Sequence, residues 1–242
     1  MEPLHDDLIS PLDADWLLFR SQGDAGAFGR LVRAFTDMVF SSARRITQDA
    51  ALAEDVTQAV FLQLARKGRG LPFEVRPGPW CYRQAVRFAS NVVRTEVRRR
   101  DREQRYVREN SMNHKNTAIQ EPEQVWQVLS PILDEMLAEL PEPDRDVIVA
   151  RYFEKLDMKC YGNRMGISAE AAQKRVSRAM DRLRDLFERR GLKSRATVIT
   201  LALLGNAVQA APQRLASGCI KNAASAIPAG NLPLLLDRKS VV

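Results

Sequence analysis

The 242-residue sequence has few of the residues from which metal sites, disulfides and most catalytic centres are built. It contains three cysteines and two histidines: Cys81, Cys160, Cys219, His5 and His114. An odd number of widely spaced cysteines makes neither a disulfide framework nor a zinc cluster, and two histidines supply metal chemistry poorly. We therefore expect no metal site and no cofactor, and we interpret Cys81 and Cys160 as ordinary core residues.

Long apolar runs and a secretory signal are also missing. The most apolar segment, Ala196–Ala211, has 16 residues and includes Asn206 and Gln209, whereas a helix that spans a bilayer needs about 20 apolar residues. The N-terminal segment MEPLHDDLISPLD is acidic and does not have the basic and then apolar order of a signal peptide. These absences predict a soluble protein in the reducing cytoplasm, with no transmembrane span.

Positive charge, in contrast, is abundant. The sequence has 37 lysines and arginines against 30 acidic residues, which gives a formal net charge of +7. Hydrophobic residues make up 45% of the chain, enough to bury real cores. The excess of positive charge favours a polyanionic partner, either nucleic acid or an anionic membrane surface.

Strand patterns are nearly absent, and apolar residues recur at helical spacing. One apolar stripe comprises Phe28, Leu31, Val32, Phe35, Val39, Ala43 and Ile46. A second helix is predicted from about Ala51 to Lys67. The sequence therefore predicts an all-α fold, with a compact helical domain over residues 10–105, a polar linker over 106–124, a second helical domain over 125–191 and a C-terminal extension over 192–242.

The segment WCYRQAVRFASNVVRTEVRRR, Trp80–Arg100, predicts a helix with two unlike faces. At 100° per residue one narrow arc collects the polar residues, with Trp80 at its edge, while apolar residues cover the opposite half. The arc consists of Arg83, Arg87, Asn91, Arg94 and Arg98. Such an arc is either a solvated charged face or a surface for nucleic acid.

The segment FEKLDMKCYGNRMGISAEAAQKRVSRAMDRLRDLFERRG predicts a helix–turn–helix. Asp157 caps a first helix that runs to about Met165, Gly166 ends it in a left-handed conformation, Ile167 fills the space between the helices, and Ser168 caps the second helix. The alternative is an ordinary helical hairpin with a charged exterior.

On that second helix, apolar residues line an inner face and basic residues line the outer one. The inner residues are Ala172, Val176, Ala179, Met180, Leu183 and Phe187. A helix of this kind suits the major groove of duplex DNA, where N-terminal residues reach base edges and cations hold phosphates. We expect Ala169, Glu170, Gln173 and Lys174 to read sequence, and Arg175, Arg178 and Arg182 to contact the backbone.

The order of these segments resembles the sigma-70-type RNA polymerase sigma factors of the compact extracytoplasmic-function (ECF) group. The resemblance covers residues 15–190 in two blocks. AEDVTQAVFLQLAR resembles the helix that binds core polymerase, and Trp80–Arg100 falls where the family recognises and melts the minus-ten promoter element. The segment from LAELPEPDRDVIVARYF to RLRDLF resembles the domain that binds the minus-thirty-five element.

The resemblance implies roles for individual residues. Asp55, Gln58, Phe61 and Leu62 would dock on a coiled coil of the largest polymerase subunit, although Asp55 is also simply a favourable charge early in a helix. Trp80, Arg83, Arg87, Asn91, Arg94 and Arg98 would form the minus-ten face. Trp80 is open to two interpretations, a stacking surface for an unpaired base or a core residue that anchors the loop Leu71–Pro79.

The implied function is a non-enzymatic transcription initiation factor that brings core RNA polymerase to specific promoters and stabilises the open complex. Its partners would be core polymerase and promoter DNA, an anti-sigma factor is a further candidate, and no small-molecule substrate is expected. It would work in the bacterial cytoplasm, on the nucleoid through RNA polymerase. The alternative is a conventional operator-binding regulator; a nuclease would need clustered acids or a histidine site, which the sequence does not supply.

Two features depart from the family pattern. Cys160, Tyr161 and Gly162 stand where the family usually has an acidic residue, an aliphatic one and alanine. A glycine inside a helix costs about 1 kcal/mol relative to alanine, which predicts a looser helix pair and weaker minus-thirty-five binding. The extension 192–242 lies outside the pattern and is a regulatory extension, a weakly amphipathic segment that packs on the other domains, or a disordered tail. Of these we prefer helical pieces that restrain promoter or polymerase binding.

Overall fold

The protein is helical in every part that the structure, a computed structural model, describes: residues 10–72, 74–103, 122–192 and 196–228, without the side chains of 96–103, 122–124 and 196. This range contains eleven α-helices and no β-strand, which confirms the predicted fold class. The helices are α1 Pro11–Gln22, α2 Ala25–Thr47, α3 Ala50–Lys67, α4 Pro77–Glu103, α5 Pro122–Leu129, α6 Leu133–Glu139, α7 Glu142–Ile148, α8 Met158–Met165, α9 Ala169–Arg189, α10 Ala196–Asn206 and α11 Leu215–Ala224.

Helix α2 is the centre of the first domain and packs against α1, α3 and α4. Its predicted apolar stripe is buried from Phe28 to Ala43, and only Ile46 is partly exposed. Side chains cap the two inner helices: Asp24 accepts a hydrogen bond from the backbone N–H of Ala27 at 2.6 Å, and Asp49 accepts one from that of Leu52 at 3.0 Å. These caps satisfy backbone donors that a helix start leaves without partners.

The helix–turn–helix is confirmed in detail. Asp157 accepts a hydrogen bond from the backbone N–H of Lys159 at 2.5 Å, and Ser168 accepts one from that of Ala171 at 3.1 Å. Gly166 ends α8 with a φ of 66°, in the left-handed region that favours glycine. The six apolar residues predicted for the inner face of α9 are all buried.

The two domains pack against each other through a buried ion pair. The Arg45 guanidinium on α2 donates to Asp134 on α6, with Nε–Oδ2 and Nη2–Oδ1 distances of 2.8 and 3.0 Å. The Tyr82 hydroxyl on α4 donates to Asp134 Oδ1 at 2.9 Å, and Arg45 Nη1 donates to the Ala207 carbonyl at 2.7 Å. The Arg45 and Asp134 side chains are only 7% and 4% exposed, so one carboxylate joins both domains.

The last three residues of the predicted linker 106–124 lie in a helix. Helix α5 begins at Pro122, where proline's fixed φ and missing N–H suit the first position of a helix. Residues 104–121 lie outside the described part of the chain.

The C-terminal extension contacts both domains. Helix α10 packs on α5 and α9, and α11 packs on α2 and α3. Between these two helices the chain follows α2: the Gln209 N–H donates to Ser41 Oγ at 2.8 Å, Ser41 Oγ donates to the Gln209 carbonyl at 3.0 Å, and the Ala211 N–H donates to Asp37 Oδ1 at 2.9 Å. Within the described residues, no helix combines the length and the apolar character that crossing a membrane requires.

Two interpretations of single residues are wrong. Cys160 is exposed on α8, because the buried face of this short helix passes through Met158 and Tyr161 instead. Gly162 does not loosen the packing of α8 and α9. A Cβ added there would lie 2.7 Å from the Ile167 carbonyl oxygen and 3.2 Å from the Ser168 carbonyl, so glycine allows the backbone of α8 to touch the turn that follows it.

We predict that Gly162→Ala destabilises the second domain although alanine is the better helix former. The clash is with backbone atoms, which cannot rotate away, and its cost exceeds the gain of about 1 kcal/mol in helix propensity. Urea unfolding should show a net loss of about 1–2 kcal/mol. Gly205→Ala is the control, because a Cβ at Gly205 of α10 meets open space. Equal or greater stability of Gly162→Ala would contradict this packing role.

A second contact between the domains holds two acids around one arginine. Arg164 on α8 pairs with Asp13 on α1, Nε to Oδ2 at 3.0 Å, and lies 3.6 Å, Nη1 to Oε2, from Glu154. The Glu154 side chain is 3% exposed and lies against the start of α4, where a Cβ on Gly78 would be 2.3 Å from its carboxyl group. Burial raises the pKa of Glu154 to about 7, and Arg164 opposes part of this shift.

The raised pKa makes stability depend on pH. Because the folded-state pKa of about 7 exceeds the usual 4.5, the contribution of Glu154 is fully present below pH 4.5 and is lost as the pH rises through 7. By pH 8 this loss amounts to about 3 kcal/mol. We predict that Glu154→Gln stabilises the protein at pH 8 and that this gain disappears near pH 4.5, measured by urea unfolding across this range. Glu188→Gln, at an exposed position, is the control; a gain that does not vary with pH would contradict the assignment.

Candidate nucleic-acid and polymerase interfaces

The outer face of α9 presents the residues predicted to contact the minus-thirty-five element. Ala169 and Arg175 are partly exposed, and the other five are exposed: Glu170, Gln173, Lys174, Arg178 and Arg182. The three arginines line one groove together with Pro141 and Pro143 before and in α7. Arg182 is also bound to Asp144 of α7, so one of the cations has an acidic neighbour across the groove.

The N-terminal end of α9 holds a carboxylate among these cations. The backbone N–H of Glu170 and the Ser168 hydroxyl both lower the pKa of the Glu170 carboxyl group. A carboxylate at this end of a groove-binding helix accepts hydrogen bonds from a cytosine amino group and repels phosphates. The charge pattern of α9 is therefore suited to base edges at its start and to the DNA backbone further along.

The predicted arc on α4 is only partly free. Arg87, Asn91 and Arg94 are exposed on one side of the helix, as expected for a binding ridge. The Arg83 side chain is 26% exposed, and its Nη1 lies 3.0 Å from both Asp146 Oδ1 and Glu142 Oε1 of α7. Burial raises the pKa of Asp146, and the nearby Arg83 guanidinium opposes this effect. The Arg98 side chain lies outside the part of the molecule that the structure describes.

Trp80 is a core residue in this structure. Its side chain is 6% exposed, and the first turn of α4, Pro77–Trp80, is buried as a whole. Of the two interpretations left open, this burial fits a core residue and not an exposed stacking surface. The second domain covers part of this turn, because its Glu154 lies against Gly78.

The outer face of α3 differs from the prediction at one residue. Asp55 is exposed, and Gln58 and Leu62 are partly exposed. Phe61 is 0% exposed and belongs to the core, so it does not form part of a docking surface in this arrangement. It lies four residues after the buried Thr57 and three before the buried Leu64, and this helical spacing could have assigned it to the inner face.

Several contacts of these surfaces are with residues that the sequence did not single out. Glu142, Asp144 and Asp146 on α7 pair with arginines of α4 and α9. Asn222 of α11 donates from Nδ2 to Gln58 Oε1 at 3.1 Å. These partners are 38 to 164 residues apart in the chain, too far for a local pattern to reveal them.

The surfaces on α4 and α9 are rich in exposed cations. Among the described residues, no group of three or more histidine, cysteine, aspartate or glutamate side chains has an arrangement that could hold a metal ion. The exposed cations instead form two ridges, on α4 and α9, that suit phosphates and bases.

Comparison with known proteins identifies the family. Models of Sigma-70 region 2 and Sigma-70, region 4 match residues 31–103 and 136–185. ECF RNA polymerase sigma factor SigE of Mycolicibacterium smegmatis is 26% identical over 191 residues, which are 72% of this chain and 71% of that protein. This chain belongs to the ECF group of sigma-70-type sigma factors.

Two further proteins share this similarity. Probable RNA polymerase sigma factor RfaY of Xanthomonas campestris pv. campestris is 25% identical over 188 residues, which are 75% of this chain but only 46% of that protein. A solved structure, the sigma factor RpoE in complex with the anti-sigma factor NepR from Bartonella quintana, matches 65% of this chain and 92% of that chain at 18% identity. The TM-score of this match is 0.26.

For this sigma factor we predict that Lys174→Gln with Arg178→Gln weakens the salt dependence of binding to duplex DNA that carries the upstream element. Each lost phosphate contact lowers the steepness of log affinity against log salt by about 0.9. With Arg178 expected at the DNA backbone and Lys174 at a base edge, the double variant should lose about 1. Arg66→Gln with Lys67→Gln is the matched control, since it removes the same two residue types from exposed positions at the end of α3. An unchanged slope in the α9 variant would count against a groove-bound helix.

Proposed function

We propose that this sigma factor directs core RNA polymerase to promoters through three surfaces on three helices. The exposed side of α3 around Asp55 and Gln58 binds the polymerase, the ridge of α4 binds the opened minus-ten region, and the outer face of α9 binds the minus-thirty-five element. The observation that carries this proposal is the exposure of cations on α4 and α9 together with the exposed Asp55 on α3, in the order expected for the family.

The minus-ten ridge would stabilise open DNA by binding energy alone. Arg87 and Arg94 are exposed and can neutralise phosphates, and Asn91 between them can accept and donate hydrogen bonds to unpaired bases. Unstacking costs a few kcal/mol per base, which contacts made only in the open state must offset. Arg83 would join this ridge only after it has left Asp146 and Glu142, so engagement of DNA requires the two domains to separate locally.

No nucleotide hydrolysis is part of this mechanism, and the protein would act without catalysing a reaction. It would work in the bacterial cytoplasm and reach the nucleoid as a subunit of RNA polymerase. An anti-sigma factor that covers α3 or α9 would be a further partner. A conventional operator-binding regulator would use the same helix–turn–helix, but it leaves the α4 ridge and the exposed face of α3 without a role.

The test is run-off transcription by core polymerase on promoter DNA. We predict that Asp55→Ala with Gln58→Ala weakens binding to core polymerase about tenfold or more, because it removes two polar contacts from a helix–helix interface. Specific transcripts should fall in parallel at limiting sigma factor, while affinity for duplex DNA in the absence of polymerase stays unchanged.

Two results would contradict this assignment. Equal loss of polymerase and DNA affinity would indicate damage to the fold. A stable complex with DNA alone, with no complex and no transcript in the presence of polymerase, would favour the operator-binding alternative.

A further inference from the structure

The C-terminal extension covers part of the helix face that we assign to the polymerase. Helix α11 packs on α3 and α2, and its Asn222 is hydrogen-bonded to Gln58, the middle residue of the Asp55–Gln58–Leu62 stripe. These three residues share one side of α3 because they are spaced by three and four positions. A helix with its side chains is about 10–12 Å across, so α11 and a helix of the polymerase cannot both lie on this stripe.

The apolar residues of α11 are spaced as in a helix that packs one face against another part of the protein. Leu215, Cys219 and Ala223 recur every four residues and are 5%, 1% and 1% exposed. Burial raises the pKa of the Cys219 thiol to about 11, as expected for a side chain removed from water. Ile220 lies over α2, with its Cδ1 3.7 Å from the position that a Cβ on Gly29 would take. The contact is therefore a packed interface and more than the single hydrogen bond of Asn222.

Both ends of α11 are fastened to the first domain. Before it, Gln209 and Ala211 are hydrogen-bonded to Ser41 and Asp37 on successive turns of α2. After it, Arg69 Nη1 donates to the Pro228 carbonyl at 2.6 Å. Residues 207–228, which we call the C-terminal clamp, thus lie along the first domain. They contact α2, then α3, and then Arg69 just after the end of α3.

We propose that the C-terminal clamp is a built-in competitor of core RNA polymerase for the outer face of α3. The clamp is released when the polymerase takes its place at Gln58, and Asp55, which stays exposed, is the point of first contact. This proposal rests on the proposed function, since it assumes that α3 binds the polymerase. It adds that the affinity of the full chain for core polymerase depends on the fraction of molecules in which the clamp is open.

The decisive variants differ by one position in α11. Ala223→Glu places a charge in the buried face of α11 and should expel the helix from α3, because burying a charge is costly. Ala224→Glu adds the same charge at the next residue, which is exposed, and serves as the matched control. Gly218→Ala acts in the opposite direction: a Cβ there meets open space, and alanine strengthens α11 as a helix.

The measurement is the affinity of full-length protein for purified core RNA polymerase. We expect Ala223→Glu to bind about tenfold more tightly than the unaltered protein, Ala224→Glu to bind equally, and Gly218→Ala to bind up to roughly fivefold more weakly. Hydrogen exchange in α3 should become faster in Ala223→Glu and slower in Gly218→Ala in the absence of polymerase.

Each remaining outcome decides the question. If Ala223→Glu exposes α3 by hydrogen exchange but binds polymerase no more tightly, the clamp is not a competitor. If Ala223→Glu aggregates, an unchanged affinity of Gly218→Ala overturns the proposal and a weaker one supports it. If none of the variants binds core polymerase while exchange in α3 still responds to them, the proposed function fails and the clamp is only a structural element.

Discussion

The whole arrangement depends on the buried contact of Arg45 with Asp134. This ion pair joins α2 to α6, and the Tyr82 hydroxyl and the Ala207 carbonyl complete its hydrogen bonds, so α4 and the start of the C-terminal clamp are fixed by the same carboxylate and guanidinium. A buried pair contributes little net stability, because desolvation offsets its attraction, but loss of one partner leaves a costly uncompensated charge. The pair therefore acts mainly on geometry, by permitting one orientation of the two domains.

That orientation brings acids of α7 to the cations of α4 and α9. Asp146 and Glu142 hold Arg83, and Asp144 holds Arg182, so carboxylates occupy positions where the proposed function requires phosphates. Ion pairs at partly exposed positions are worth little individually and can be exchanged for DNA. Arg45 and Asp134, in contrast, are almost fully buried. The proposed opening of the molecule is therefore limited by the central contact and not by the peripheral ones.

Local features of the fold could be predicted from the sequence, and long-range features could not. The caps of Asp157 and Ser168 and the left-handed Gly166 are encoded within a few residues, so helix–turn–helix bounds followed directly from residue types. The resemblance alone places Phe61 on a surface, although its spacing on α3 puts it on the buried face. Trp80 stays open from sequence between surface and core, because its burial depends on what packs against the start of α4. Gly162 looked like a helix breaker because its partner, the carbonyl of Ile167, becomes a neighbour only when the turn is formed. The contacts of α11 had no sequence signal, since Asn222 and Gln58 are 164 residues apart.

The composition of α11 fits a helix that has to dissociate from α3 when the polymerase binds. Alanine, glycine, serine and one cysteine fill most of LASGCIKNAA, so its buried face offers small side chains, with Leu215 and Ile220 as the large ones. Hydrophobic stabilisation grows with the apolar area removed from water, and small residues remove little. The helix can therefore approach α3 closely while holding it weakly. A helix rich in leucine and phenylalanine at the same place would bind α3 too tightly to be displaced. Core polymerase could then bind only by overcoming the whole free energy gained from burying those large side chains.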